Sequence, residues 1–141
     1  MRFRKHVYGA AAAALLALTA CNKNSTTPTS PSAPAVTTDT FSSTVAQTGS
    51  VTHLFKVLST GQVTVTLTSV APLSTMALGI GMMTSDGTSC LTTVTQNDNA
   101  RASAAALQGV AVAGNYCIRV YDSGNVPVST TVTYTVTVAH P

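Results

Sequence analysis

The strongest pattern along the chain is an alternation of apolar and polar side chains near its C-terminal end. Over residues 131–138, valines and one tyrosine alternate with four threonines. Residues 116–121 place tyrosine, isoleucine and valine on one face and cysteine, arginine and tyrosine on the other. Successive side chains of a β-strand point to opposite faces of a sheet, so each segment would bury one face and expose the other. Both segments are therefore predicted to be strands of an antiparallel sheet.

Weaker alternation, rich in the β-branched residues that suit a pleated surface, precedes these two segments. The sequence Asp-Gly at residues 86–87 predicts a hairpin turn, because glycine tolerates a positive φ. Residues 59–61 predict a further turn, and Pro72 interrupts the pattern. Residues 96–99, all Gln, Asn or Asp, are predicted to form a loop, and the alanine-rich residues 101–107 a strand or irregular structure. The remaining predicted strands cover residues 40–45, 51–57, 63–67, 77–82 and 89–95.

Several short strands separated by turn signals are typical of a two-layered β fold. The composition agrees, because helical surfaces usually carry Glu–Lys pairs and this chain contains no Glu. The predicted fold class is therefore all-β, an antiparallel β-sandwich of about seven to eight strands.

The first twenty residues have the pattern of a secretory signal. Arg2, Arg4 and Lys5 precede an almost wholly apolar stretch at residues 7–18. A positive segment followed by a short apolar one is the signal-peptide pattern, and this stretch is too short to span a bilayer as a helix. Such a segment is compatible with an ordinary signal peptide, in which case the cysteine at position 21 is incidental, or with the signal of a lipoprotein.

The sequence Leu-Thr-Ala-Cys at residues 18–21 resembles the lipobox of bacterial lipoproteins. The resemblance implies cleavage before Cys21, a diacylglyceryl group on its sulfur, and acylation of the new N-terminus by a chain such as palmitate. More than one acyl chain is needed for durable membrane anchoring. Asn22 follows the cysteine in place of the Asp that favours retention in the inner membrane, so the resemblance implies a lipid-anchored protein of the cell envelope, in the outer membrane.

A polar segment follows the predicted cleavage site. Of the sixteen residues at 22–37, ten are Ser, Thr or Pro. Such a segment buries too little apolar surface to offset the entropy of ordering, so it is predicted to be a disordered linker. The predicted organisation is a signal peptide at 1–20, a lipidated cysteine and linker at 21–37, and one domain at 38–141.

The charges of the predicted mature chain balance. Without the signal peptide, the chain has four basic and four acidic residues, so its net charge is zero with His neutral. Proteins that bind nucleic acid need clustered Lys and Arg to displace counterions, so nucleic acid is excluded as a partner. The bases are Lys23, Lys56, Arg101 and Arg119, and the acids are Asp39, Asp86, Asp98 and Asp122.

Two cysteines remain once Cys21 is assigned to the lipid. Cys90 and Cys117 are predicted to form a disulfide, because paired thiols prevail outside the cytoplasm. Closing a loop of this length contributes about 3.5 kcal/mol in the chain-entropy model. Two unpaired buried thiols remain an alternative, and a metal site is less favoured because no other Cys or His lies at ligand spacing.

The sequence Ala-Gly-Asn-Tyr-Cys-Ile-Arg-Val at residues 113–120 resembles the Ala-Gly-x-Tyr-x-Val-x-Val strand of bacterial pre-peptidase C-terminal (PPC) domains. Residues 53–57, 61–67 and 134–136 also fit strands of that family. The resemblance implies a jelly-roll type of β-sandwich that serves as a non-catalytic accessory module of secreted bacterial proteins. At residues 75–78, where many members carry acidic side chains, this chain has none, so the resemblance does not extend to a calcium site.

Candidate chemistry is sparse. The predicted mature chain has two histidines: His53, on the apolar face of a predicted strand, and His140, which is predicted to fray near the C-terminus. Nothing resembles a nucleophile elbow, so no enzyme activity, catalytic residue, cofactor or metal is predicted. Asp98 is predicted to belong to a plain polar turn, and calcium binding by this residue is the alternative interpretation. Tyr121, with Arg119 beside it, is the candidate ligand-binding residue, because sugars stack on exposed aromatic rings.

These observations predict a lipid-anchored cell-envelope protein that presents a non-catalytic β-sandwich as an interaction or structural module. Its partners would be the membrane, through Cys21, and envelope proteins or glycans. The alternative is a lipoprotein that binds carbohydrate or a small ligand through Tyr121 and Arg119. An envelope hydrolase that uses His53 is the least favoured reading.

Overall fold

The computed structural model describes residues 32–141, so the predicted signal peptide, Cys21 and most of the predicted linker lie outside the described residues. Within this range no helix is long and apolar enough to cross a membrane. The described chain forms the strands β1 (Thr37–Ala46), β2 (Ser50–Val57), β3 (Gly61–Ala71), β4 (Leu78–Ser85), β5 (Cys90–Ala100), β6 (Ala104–Ala111), β7 (Gly114–Tyr121) and β8 (Thr131–His140).

The eight strands form two antiparallel sheets of four strands each. The first sheet has the order β1-β8-β3-β6, and the second sheet has the order β2-β7-β4-β5. Consecutive strands mostly lie in alternate sheets, which is the double Greek-key arrangement of a jelly roll. The predicted all-β sandwich is confirmed, with eight strands.

In the first sheet, β8 follows the alternation of its sequence along its whole length, whereas β3 has one irregularity in its pairing with each neighbouring strand. On β8, Val132, Tyr134, Val136 and Val138 are all 0% exposed, while the threonines between them face outward. Burying such side chains supplies the main free energy that favours the folded state. The outer threonines lie opposite hydroxyl residues of β1, and the Oγ atom of Ser42 is 2.9 Å from the Oγ1 atom of Thr135. Around β1 and β8 this layer is mainly apolar inside, apart from the paired Asp39 and His140, and its outer side chains are uncharged.

The second sheet departs from that regularity at β4. Residues 78–82 are all buried, so both faces of this strand are covered. The inner face carries Leu78, Ile80 and Met82, whereas the outer face carries Gly79 and Gly81. The absence of side chains at the two glycines leaves room on the outer face for a side chain of a neighbouring strand.

The prediction of a loop at residues 96–99 is wrong, because these residues belong to β5. Three irregularities interrupt the pairing of β5 with β4, and the strand lies at the edge of the second sheet, where polar side chains remain in contact with water. The side chain of Asn97 donates a hydrogen bond to the carbonyl oxygen of Ala106 on β6. Residues that favour loops by their local sequence are thus held in a strand, because residues distant in the sequence supply their hydrogen-bond partners.

Two further expectations near chain turns have different outcomes. Residues 101–103 form a turn and β6 follows, so the strand alternative for the alanine-rich segment is confirmed. The expectation that His140 frays is wrong, because it is the last residue of β8 and is only 3% exposed. Its ring packs against Phe55, and its Nε2 atom lies 3.0 Å from the Oδ2 atom of Asp39.

The predicted disulfide is present and joins Cys90 at the start of β5 to Cys117 on β7. Strand β4 lies between these two strands, so the bond links the edge of the second sheet to its interior across one strand. The predicted hairpin turn at Gly87 is also present, with φ at 99°. The Asp86 carboxylate accepts hydrogen bonds from the backbone N–H groups of Thr88 and Ser89 in this turn.

The connections between strands divide between two ends of the sandwich. The end where residues 32–36 enter β1 is called the tether end; it also holds residues 58–60, 86–89 and 112–113. The opposite end is called the distal end. It holds the connections at residues 47–49, 72–77, 101–103 and 122–130.

Candidate functional site

The two residues predicted to bind a ligand lie together where β7 reaches the distal end. Tyr121 and Arg119 both point to the outer face of the second sheet, and the Cζ atom of Arg119 lies 5.2 Å from the centre of the Tyr121 ring. A guanidinium at this distance from an aromatic ring is within range of a cation–π interaction. The hydroxyl of Tyr121 donates a hydrogen bond to Asp98 on β5.

Gly79 explains why the Tyr121 ring can lie across the sheet. It is the residue of β4 directly opposite Tyr121, and a Cβ atom placed there would collide with the ring. Only glycine therefore allows the ring to reach over β4 to Asp98 on the next strand. Tyr121 is half-buried rather than an open platform.

Electrostatics fix the protonation state of the Tyr121 phenol. Burial and the hydrogen bond to Asp98 raise the pKa of Tyr121 to about 12, against a smaller opposing effect of Arg119. The phenol therefore stays protonated at neutral pH and donates a hydrogen bond to the Asp98 carboxylate. The cluster of Tyr121, Arg119 and Asp98 offers a cation, carboxylate oxygens and an aromatic ring, which are groups that hold a polar ligand without proton transfer.

The loops beside this cluster are held in place by Asp122. Its carboxylate accepts backbone hydrogen bonds from Thr48 in one connection and from Gly124, Asn125 and Val126 in another. Burial opposes ionisation of this carboxyl, but the hydrogen bonds together lower the pKa of Asp122 below its ordinary value. One ionised side chain thus ties two distal connections together next to Tyr121.

The two histidines lie at a different place, along the seam between β1 and β2. The ring of His53 stacks on Phe41 with centroids 4.8 Å apart, and its Nε2 atom lies 2.7 Å from the hydroxyl oxygen of Tyr134. Burial lowers the pKa of His53. The Nε2 atom of His140 contacts the carboxylate of Asp39. Both rings are packed between the sheets, and neither is joined to the Tyr121 cluster by a described contact.

A cavity of about 250 Å³ lies at the tether end and is lined by Leu54, Phe55, Lys56, Gly87, Asn115 and Tyr116. It contains none of the residues that the sequence singled out for ligand binding. Among the described residues, no group of three or more His, Cys, Asp or Glu side chains could hold a metal ion. The carboxylate of Asp98, the residue considered for calcium binding, accepts a hydrogen bond from the hydroxyl of Tyr121.

The structure therefore brings Tyr121 and Arg119 together and adds two residues that the sequence analysis did not connect with them. The local pattern predicts a loop around Asp98 and gives Gly79 only a place within the predicted strand at residues 77–82. Cys21, the predicted lipidation site, lies outside the described residues. No sequence signal links Gly79 to Tyr121, because their contact depends on the pairing of β4 with β7.

The chain matches no protein-family model, and no curated protein matches it either. The resemblances to the lipobox and to PPC domains therefore rest on the residues that carry them.

Proposed function

We propose that this protein is a lipid-anchored module of the bacterial cell envelope that binds a partner without catalysing a reaction. The anchor is Cys21, the linker follows it, and a PPC-like jelly roll is presented on the linker. The outer membrane is the expected location, since Asn22 follows the lipidated cysteine.

The observation that carries the proposal is the opposite placement of the linker and the Tyr121 cluster. Residues 32–36 join the sandwich at the tether end, whereas Tyr121 and the loops held by Asp122 lie at the distal end. A partner could therefore reach the distal end without displacing the linker. Rigid elements that position a few polar groups are typical of binding surfaces.

The positions of the titratable groups support a non-catalytic role. General acid–base catalysis needs a group whose pKa lies near the working pH and that can reach a substrate. His53 and His140 are packed between the sheets, and the Tyr121 phenol has its pKa raised to about 12. Each of these groups has a structural partner.

The anchor is tested by fractionation of a diderm bacterium that expresses the full precursor. The wild-type protein should be found in the outer membrane and partition into detergent. Cys21→Ser should move the protein to the soluble fraction, because the acylation site is lost. Equal distribution of both proteins would contradict the anchor.

The binding surface is tested by photocrosslinking in the same cells. A photoreactive residue at Asn125 on the distal end should yield one defined adduct, and the adduct should disappear in an Arg119→Ala, Asp98→Asn background. The matched control is Gln108, which is also exposed but lies on the outer face of the first sheet. Adducts of equal yield from both positions would contradict a distal binding surface.

A second candidate function is the binding of carbohydrate or a small polar ligand by the same cluster. The convergence of an aromatic ring, a guanidinium and a carboxylate favours it, since sugars present an apolar face and several hydroxyl groups. Glycan-array binding that is lost in Tyr121→Ala, but retained in Thr52→Ala opposite Arg119, would establish this function. An array without any bound glycan would leave the protein-binding proposal as the better account.

A further inference from the structure

The tether end carries an apolar surface that the binding proposal does not use. It consists of Pro34, Val36, Leu58, Val110 and Val112, and is called the apolar tip. The four aliphatic residues are each between 63% and 71% exposed, so their side chains lie largely in solvent. Contiguous exposed apolar patches mark sites of contact with another molecule or a membrane.

The residues of the tip lie around one point of the fold. Pro34 and Val36 line a cavity of about 250 Å³ together with Gly61 and Pro141. The backbone N–H of Leu58 donates to the carbonyl oxygen of Pro141, which places Leu58 beside the same point.

Strand β6 brings the other two residues to that point. Val110 is paired with Gln62 in the first sheet, and Val112 follows Ala111, the partner of Gly61. Three separate segments thus contribute exposed aliphatic side chains around Gly61.

The segments that form the tip contain no charged residue: residues 32–36, 58–62 and 109–114 are all uncharged. The distal connections differ, because they contain Arg101 and Asp122 and lie next to Arg119 and Asp98. They expose Leu73 and Val128 in two different connections rather than in one cluster. Four of the nine exposed large hydrophobic side chains of the described residues therefore lie where the linker enters, on segments without a charged side chain.

The charged groups of the tether end are compatible with a lipid surface. Asp39 is paired with His140, and Asp86 accepts hydrogen bonds within its own turn. Lys56 forms no described ion pair and lies two residues before Leu58. A free cation beside an apolar surface is attracted to anionic lipid headgroups.

We propose that the apolar tip docks on the lipid bilayer that holds the anchor, so that the domain stands on the membrane with its distal end outward. The inference rests on the proposed lipid anchor at Cys21. Ten residues separate Cys21 from Ser32, and even a fully extended polyproline segment of that length reaches roughly 30 Å. The end of the domain that the linker enters is therefore kept close to the bilayer.

The test uses tryptophan fluorescence, because the protein has no Trp of its own. The full mature lipoprotein, purified with its acyl chains, is reconstituted into phosphatidylethanolamine–phosphatidylglycerol vesicles that contain lipids brominated near the headgroup. Val112→Trp places the probe in the tip, and Leu58→Trp repeats it on a separate segment. Val128→Trp is the matched control, since Val128 is 73% exposed at the distal end.

Docking predicts that bromine quenches Val112→Trp and Leu58→Trp roughly twofold or more above Val128→Trp, because interfacial side chains enter the region of the bromine atoms. Vesicle-bound protein with equal quenching at all three positions would overturn docking but leave the anchor intact. Equal quenching together with a concentration-dependent dimer in detergent would assign the tip to a second copy, which also overturns the proposal. Protein that neither floats with vesicles nor carries acyl mass would overturn both the anchor and the docking.

Discussion

The two sheets of the sandwich both consist of four antiparallel strands, but their outer faces carry different kinds of side chain. The first sheet exposes a surface of hydroxyl and methyl groups, such as the paired Thr40 and Thr137, and its strands β1 and β8 pair without irregularity. The outer face of the second sheet carries the disulfide, the two glycines of β4 and the Tyr121 cluster. The difference indicates that the first sheet is the scaffold and that specialised contacts are concentrated in the second sheet.

Loss of the disulfide should have the largest effect on this comparison. Cys90 and Cys117 are 27 residues apart, and opening that loop in Cys90→Ala, Cys117→Ala should reduce the free energy of unfolding by about 3.5 kcal/mol. Urea unfolding of the variant measures the loss. The unmodified protein in reductant should lose a similar amount, and stability unchanged in both cases would show that the bond adds nothing to the second sheet.

A pair of glycine substitutions compares the two sheets directly. Gly79→Ala in the second sheet should cost about 1–3 kcal/mol, since the added methyl group must displace the Tyr121 ring. Gly109→Ala in the first sheet should stay within about 0.5 kcal/mol of the parent, because no atom lies within 4 Å of the added Cβ. Both values come from urea unfolding.

A double-mutant cycle shows whether the cost at Gly79 arises from Tyr121. In a Tyr121→Ala background, Gly79→Ala should cost much less than it does alone, because the colliding ring is gone. The same cost in both backgrounds would mean that β4 itself, rather than the ring, requires glycine.

Acid should weaken the seam between the sheets through His53. Its pKa is lowered by burial, so the unfolded chain binds the proton more readily than the folded one. The stabilisation from the neutral ring is therefore complete above the ordinary value of 6.5 and is lost as the pH falls through the lowered pKa. This effect should be the smallest of those considered.

The measurement is the slope of the free energy of unfolding between about pH 7 and pH 5, for the parent and His53→Gln. The groups that contact the ring are Phe41 and Tyr134, which carry no charge in this range. The nearby pair of Asp39 and His140 is present in both proteins, so its contribution cancels in the difference. A parent slope no steeper than that of the variant would contradict the assignment.

The sequence predicted most of the fold because alternation reports directly on which face of a strand is buried. The first sheet shows this best, since Val132, Val136 and Val138 all point into the core as their spacing indicated. Residues 96–99 were misassigned because the partners that stabilise them, Ala106 and Tyr121, come from other strands. His140 was misjudged for the same reason, since Asp39 is brought to it by the pairing of β1 with β8.

The candidate site was predictable only in part. Tyr121 and Arg119 are two residues apart on one strand, so alternation alone places them on the same face. Gly79 and Asp98 join them through the order of strands in the second sheet, which no local pattern contains. The apolar tip likewise depends on three segments that meet only in the folded chain.

The mass of the intact protein extracted from membranes tests the central claim, which is the lipid anchor at Cys21. The account predicts a chain that starts at Cys21 and carries a diacylglyceryl group on that sulfur, with a further acyl chain on its amino group. A chain with a free Cys21 thiol, or one that retains residues 1–20, would contradict it.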